Sequence, residues 1–146
     1  MRLVDLTTKP WQLMLPGEKE TSLNKMVYLP GTLDEFGVGH EDRLDNSCHP
    51  DETTAQSFDD DVIATRFTRK HTYEGPAYFE QEITIAPADK CRTFFEIERA
   101  RCVRVYLDGE EISSYEEQTI STPHVFELTG HEGIHRLRVE SDNSYP

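Results

Sequence analysis

Between positions 77 and 86 the chain reads AYFEQEITIA, with Phe79, Ile83 and Ile85 at alternate places and Tyr78, Glu80, Glu82 and Thr84 between them. A period of two belongs to a pleated strand with one face in a core. Gln81 is the one polar residue that falls on the apolar side. The pattern recurs over 93–98, where Phe95 and Ile97 oppose Phe94, Glu96 and Glu98. It recurs again where Val103, Val105 and Leu107 alternate with Arg104 and Tyr106, and where Leu137 and Val139 alternate with Arg136 and Arg138. Shorter stretches at Trp11 to Leu15, Met26 to Leu29 and Val125 to Leu128 complete the set. Asp108-Gly109 closes one run with a pair that tolerates the positive φ angles of a type I′ hairpin turn. Short strands with regular turn signals predict an all-β fold, an antiparallel β-sandwich of jelly-roll type.

Residues 34–61 interrupt this order. The stretch has no hydrophobic period and is rich in acidic and small polar residues, which predicts a long acidic loop inside a single domain spanning 1–146. His40-Glu41-Asp42, His49-Pro50-Asp51-Glu52 and Asp59-Asp60-Asp61 lie within it, but their spacing fits neither a calcium loop nor a zinc site. The expectation is a charged loop without an ion, and no metal or cofactor elsewhere.

With 36% apolar residues, among them seven Phe, six Tyr and one Trp, the chain has the material for a real core. Its 28 acidic residues against 15 Lys and Arg give a formal charge of −13. Such a surface repels phosphate backbones and anionic lipid, so nucleic acid and membrane surfaces are not the expected partners. Cys48, Cys91 and Cys102 show no metal-ligand spacing and no disulfide framework, although one pair could still form, and the last two are placed in strands as small apolar residues. No apolar run reaches the roughly 18 residues that a membrane helix needs. The opening Met1-Arg2-Leu3-Val4-Asp5-Leu6 lacks a signal-peptide core, so a cytoplasmic location is expected.

Catalytic chemistry is harder to find. Glycoside hydrolysis uses two carboxyl groups about 5–5.5 Å apart for retention or about 6.5–9.5 Å for inversion, and no acidic pair here sits in a recognisable motif. A G-x-S-x-G nucleophile elbow is missing too. By residue type alone Trp11, Tyr73, Tyr78, Tyr106 and Tyr145 are candidates to stack on a sugar ring, but core packing is the better expectation for most of them.

Five ordered strings then acquire meaning together. Leu29-Pro30-Gly31-Thr32-Leu33-Asp34, Thr68 to Ala77 (TRKHTYEGPA), Val105-Tyr106-Leu107-Asp108-Gly109, Ser121 to Thr129 (STPHVFELT), and His135 to Val139 leading to Asp142-Asn143 resemble the sugar-binding domain that opens family 2 glycoside hydrolases, the β-galactosidase and β-glucuronidase group. Locally, Gly31 and Gly75 are read as sharp turns, and Pro30 and Pro76 as interruptions at strand ends. The resemblance implies a galactose-binding-like jelly roll that is followed, in such enzymes, by an immunoglobulin-like sandwich and a TIM barrel. Their catalytic glutamates lie in that barrel, so no catalytic residue is carried onto this chain. What the resemblance implies instead is a non-catalytic accessory domain of a retaining β-glycosidase, whose partners are the downstream domains and, in their company, a carbohydrate. It implies that Asp142 and Asn143 are the substrate-binding residues, Asp142 by accepting hydrogen bonds from sugar hydroxyls. Asp-Asn after a strand is also ordinary turn chemistry. The rival readings are a freestanding carbohydrate-binding module and an interaction domain without sugar contact.

Overall fold

The computed structural model describes residues 1–16, 25–41, 71–87, 89–112 and 122–144. Ten strands occur among them, in the order β1 (Trp11–Met14), β2 (Lys25–Val27), β3 (His40–Glu41), β4 (His71–Thr72), β5 (Pro76–Ile85), β6 (Phe94–Ile97), β7 (Val103–Leu107), β8 (Glu110–Glu111), β9 (His124–Glu127) and β10 (Gly133–Asp142). The chain divides into two units, one of Met1–Pro30 with Glu74–Pro146 and the other of Gly31–Tyr73.

In the first unit six strands form an antiparallel sheet of order β2-β1-β5-β10-β7-β8. β5 and β10 are its spine, paired from Gly133↔Ile85 to Asp142↔Pro76. The register sets Leu137 opposite both Gln81 and Leu107, and Val139 opposite both Phe79 and Val105. One face therefore collects Trp11, Leu13, Val27, Ile83, Ile85, Val103, Val105, Leu107, Leu137 and Val139, all buried. At about 1.5–3 kcal/mol for each fully buried aliphatic side chain, this layer is the main stabilising term. β6 and β9 make the second layer of the sandwich: Phe95 stands opposite Phe126, both are buried, and their rings stack at 6.4 Å. Phe94 and Val125, one step out of phase, are exposed.

Strand ends differ from the sequence expectation by one or two residues at most places, and β10 is longer, because β5 pairs with it along its whole length from Gly133 to Asp142. The Asp108-Gly109 turn forms as expected, with φ of 50° and 86°, and Leu107 pairs with Glu110. Gln81 proves to be a tether. Its amide nitrogen lies 3.1–3.3 Å from the carbonyls of Leu6, Lys9 and Pro10, while Trp11 Nε1 donates to the same Leu6 carbonyl at 3.1 Å. The buried amide thus fixes the 3-10 turn Leu6–Thr8 that leads into β1. Cys91 and Cys102 are not in strands. Cys91 is exposed before β6, and Cys102 has a φ of 44° just ahead of β7.

In the second unit Thr32 and Glu35 close a reciprocal cap on the turn at 33–37. Thr32 N donates to Glu35 Oε2 at 2.7 Å, and Glu35 N donates to Thr32 Oγ1 at 3.2 Å. Gly31 is needed for space and not for a left-handed turn, since an added Cβ would collide with the Phe36 ring. Asp34 Oδ1 accepts from His71 N at 2.8 Å, where β3 pairs with β4. Of the acidic stretch 34–61, only 34–41 falls among the described residues.

Candidate functional site

β10 ends at Asp142 where β5 begins at Pro76 and β7 begins at Val103, so three chain segments meet at this edge of the sheet. Asp142 Oδ1 accepts from Ser144 N at 2.9 Å and from Ser144 Oγ at 2.7 Å. This is an Asx turn, the local chemistry that competes with a ligand role. It occupies one oxygen only: Oδ2 of the half-buried Asp142 accepts no hydrogen bond among the described residues. Asn143 is committed more deeply, because its Oδ1 accepts from Gly75 N at 2.8 Å. Gly75 is buried with a φ of 134°, a conformation that an L side chain resists. Asn143 therefore locks the entry to β5, and the structure sets Asp142 and Asn143 side by side with different local duties.

The connection from β6 to β7, residues 98–102, forms the neighbouring wall and carries no hydrophobic period that would mark it. Its main chain is pinned by long-range bonds. The Ala100 carbonyl meets the Nε2 of buried His124 at 2.8 Å, and the Arg101 carbonyl accepts from Ser141 Oγ at 3.0 Å and Asp142 N at 3.3 Å. Arg99 and Cys102 bracket the segment with φ of 56° and 44°.

A second polar cluster covers the outer face of the sheet. Glu80 is only 8% exposed although it points away from the core. Arg136 Nε and Arg138 Nε donate to its two oxygens at 2.6 Å each, and Arg136 also reaches Gln12 Oε1. Burial pushes the Glu80 carboxyl up, but the hydrogen bonds and charges of the two arginines outweigh it and hold the group below its ordinary range. Arg138 lies over the Tyr78 ring at 5.3 Å, and Tyr106 donates to Glu140 at 3.1 Å. Two of the aromatic candidates are thus bound into this face. Trp11 is core at 4% exposure, Tyr73 is half-buried in the second unit, and Tyr145 lies outside the described residues. Near the Asp108-Gly109 turn, Asp108 Oδ1 accepts from Arg136 N at 2.8 Å and Oδ2 meets His135 Nδ1 at 2.6 Å. His135 Nε2 faces the Glu132 carbonyl at 3.1 Å, so only the doubly protonated ring satisfies both contacts.

Among the described residues no three His, Cys, Asp or Glu side chains are grouped to hold a metal ion, and no helix is long and apolar enough to cross a membrane. Of the acidic clusters, 42–61 lie outside the described residues.

No family model matches the sequence, and no curated protein matches it. Solved structures do. The chain superposes on a family 2 (GH2) β-galacturonidase from Eisenbergiella tayi bound to galacturonate with a TM-score of 0.61 and 18% identity, covering 98% of this chain and 19% of that one. The fold is shared. A β-D-glucuronidase from Dictyoglomus thermophilum matches with a TM-score of 0.55 and 13% identity, over 94% of this chain and 19% of the other. A β-glucuronidase from Ruminococcus gnavus, in complex with an N1-substituted uronic isofagomine, gives 0.55 and 16%, over 92% and 21%. The chain spans about one fifth of the length of the solved chains it matches. The sandwich is therefore a fold contained within family 2 glycosidases, as its ordered motifs suggested.

Proposed function

We propose that this chain is a non-catalytic sugar-binding-type accessory domain of a family 2 β-glycosidase, which buttresses a catalytic barrel and lines the rim of its sugar pocket. The observation that carries the reading is the alignment of 98% of this chain onto 19% of a much longer β-galacturonidase. Asp142 and Asn143 fit the rim role unequally. Asp142 keeps one carboxylate oxygen free to accept from a sugar hydroxyl, and charge-assisted bonds of this kind are about twice as strong as neutral ones. Asn143 spends its carbonyl oxygen on Gly75, so its contribution is to hold the edge in place.

The test is Asp142→Ala in the full-length parent polypeptide. Loss of a transition-state contact lowers kcat/KM by about tenfold to a hundredfold. Unchanged kcat/KM with a lower Tm identifies Asp142 as a turn former and removes the site assignment. The isolated chain is expected to hydrolyse no aryl β-glycoside, since the enzymes it resembles keep their acid and nucleophile in a separate barrel. Protein-dependent turnover by the pure chain overturns the accessory reading.

A further inference from the structure

His135 serves two acceptors that lie on separate turns, and its ring can satisfy both only while it carries two protons. Nδ1 lies 2.6 Å from Asp108 Oδ2 in the β7–β8 turn, and Nε2 lies 3.1 Å from the Glu132 carbonyl in the β9–β10 turn. A neutral imidazole has one N–H and one lone pair. Loss of a proton therefore sets a lone pair against an acceptor at one of the two contacts, and that side must give way. Among the described residues the titratable and charged groups that face the ring are Asp108 and His131, the latter edge-on with centroids 6.3 Å apart. From β5 the residue opposite is the apolar Ile83, and the Arg136 and Arg138 guanidiniums are bound to Glu80 on the other face.

The surroundings decide which side yields. Asp108 is fixed to β10 twice over: its N–H donates to the Arg136 carbonyl at 2.9 Å, and its Oδ1 accepts from Arg136 N at 2.8 Å. Its Oδ2 cannot leave Nδ1 without straining those bonds, and a bond to a carboxylate is about twice as strong as one between neutral groups. The β9–β10 turn is the softer side. Residues 129–134 are all exposed, and Gly133 has a φ of 104° with open space around it. The peptide unit between Glu132 and Gly133 can therefore rotate at little steric cost, while the bond from His131 N to the Leu128 carbonyl stays in place. We infer that His135 is a pH-operated latch: protonated, it holds the β9–β10 turn to the β7–β8 turn, and deprotonated, it keeps Asp108 and releases the Glu132–Gly133 peptide unit. The bond to Asp108, followed by that to the Glu132 carbonyl, favours the charged ring, so release falls above the ordinary 6.5. The latch does not depend on the accessory-domain reading.

The test is an NMR titration of the isotope-labelled 146-residue chain through the His135 midpoint. Ring nitrogen shifts are expected to show the neutral ring protonated at Nδ1. The order parameter of the Gly133 N–H falls from about 0.85 below the midpoint to under about 0.6 above it, while Gly109 in the facing turn keeps its value. A neutral ring protonated at Nε2 overturns the inference, and so does a Gly133 order parameter that ignores the midpoint. Asp108→Asn makes the opposite case. Its Oδ1 still accepts from Arg136 N, and its amide donates to Nδ1, so the neutral ring carries its proton on Nε2 and keeps the Glu132 carbonyl. In that variant Gly133 stays ordered on both sides of the midpoint; the same loss of order as in the unaltered chain overturns the inference. His131→Gln removes the neighbouring titration and leaves the effect in place, whereas an effect that disappears with His131 overturns the assignment to His135. The tautomer is read on the unaltered chain, so the inference is decided even where a variant does not fold.

Discussion

Two aspartates border β10, one at each end, and they are used in opposite ways. Asp108 has both oxygens engaged: one caps the Arg136 amide, and the other meets His135 Nδ1 at 2.6 Å. Asp142 is half-used, with a single oxygen serving Ser144 and the second left without a protein partner among the described residues. Both follow or precede strands and both look like turn formers in the sequence. The difference teaches that turn chemistry and ligand chemistry are not exclusive. Each carboxylate accepts two hydrogen bonds, and what differs is whether the fold engages both oxygens or leaves one open.

The comparison presumes that both ends rest on one cooperative core, and Leu137→Ala tests that presumption hardest. Leu137 is 0% exposed between β5 and β7. Truncation is expected to lower stability by about 3 kcal/mol in urea unfolding. Signals from His135 and from the 141–144 segment should vanish in the same transition. Separate midpoints would show the two ends to be independent, and the contrast would lose its meaning.

A smaller effect is expected at Glu80, which links β5 to β10 midway between the two aspartates. Glu80→Ala leaves Arg136 and Arg138 facing each other without their shared acceptor. Both are about half exposed and keep much of their hydration, so the loss is set at about 1–2 kcal/mol and not at the cost of a fully buried pair. The sign with pH follows from the lowered folded value. The stabilisation is present above the unfolded value near 4.5 and is lost as pH falls through the lower folded one. Glu80→Gln should therefore flatten the acid limb of a stability profile, and an unchanged limb would deny the clamp.

The sequence makes the core legible and the polar design only partly so. Alternation along 79–85, 103–107 and 137–139 locates the inner face because burial forces a period of two wherever one side of a sheet is wet. Glu80 hides from the same reasoning. Its position in the pattern says solvent, and only the register with Arg136 and Arg138, more than fifty residues away, shows it covered. The β3–β4 pair is invisible because two residues cannot display a period. Asp142 was singled out through resemblance to a family motif, whereas the anchoring of the 98–102 connection gave no signal in the sequence. Nothing in the string Glu98-Arg99-Ala100-Arg101-Cys102 says that its carbonyls will be pinned. That property belongs to contacts with residues 124, 141 and 142.

The doubly engaged end offers a spectroscopic check. The hydrogen bond to Asp108, followed by that to the Glu132 carbonyl, raises the His135 pKa above its ordinary 6.5. The Arg136 amide, and then His135, lower the Asp108 carboxyl below 3.8. The raised histidine contributes stability that is full below 6.5 and fades as pH climbs through its folded value. The lowered carboxylate contributes above 3.8 and fades as pH drops through its own. The pair is therefore strongest in the mildly acidic window between those two ordinary values. An NMR titration should place the His135 midpoint above 6.5, and Asp108→Asn should bring it back toward that value. A midpoint that ignores the substitution would show the contact to be ornamental.

The smallest expected effect is the one that sharpens the contrast most. Asp142→Asn keeps an Oδ1 acceptor for Ser144 N and Oγ, so the Asx turn survives in the isolated chain. Only the charge and the second oxygen's capacity are lost, and that oxygen has no protein donor to disappoint among the described residues. Stability should change by less than about 0.5 kcal/mol, within the range of ordinary surface substitutions. Asp142→Ala removes the turn as well and should cost about 1 kcal/mol, the net worth of a typical hydrogen bond. If Asn destabilises as much as Ala, the carboxylate's charge is needed by the fold itself, and Asp142 is as fully consumed as Asp108. If Asn leaves the melting curve unmoved, the charge at position 142 is not there for the fold, and the free oxygen is left for something outside it.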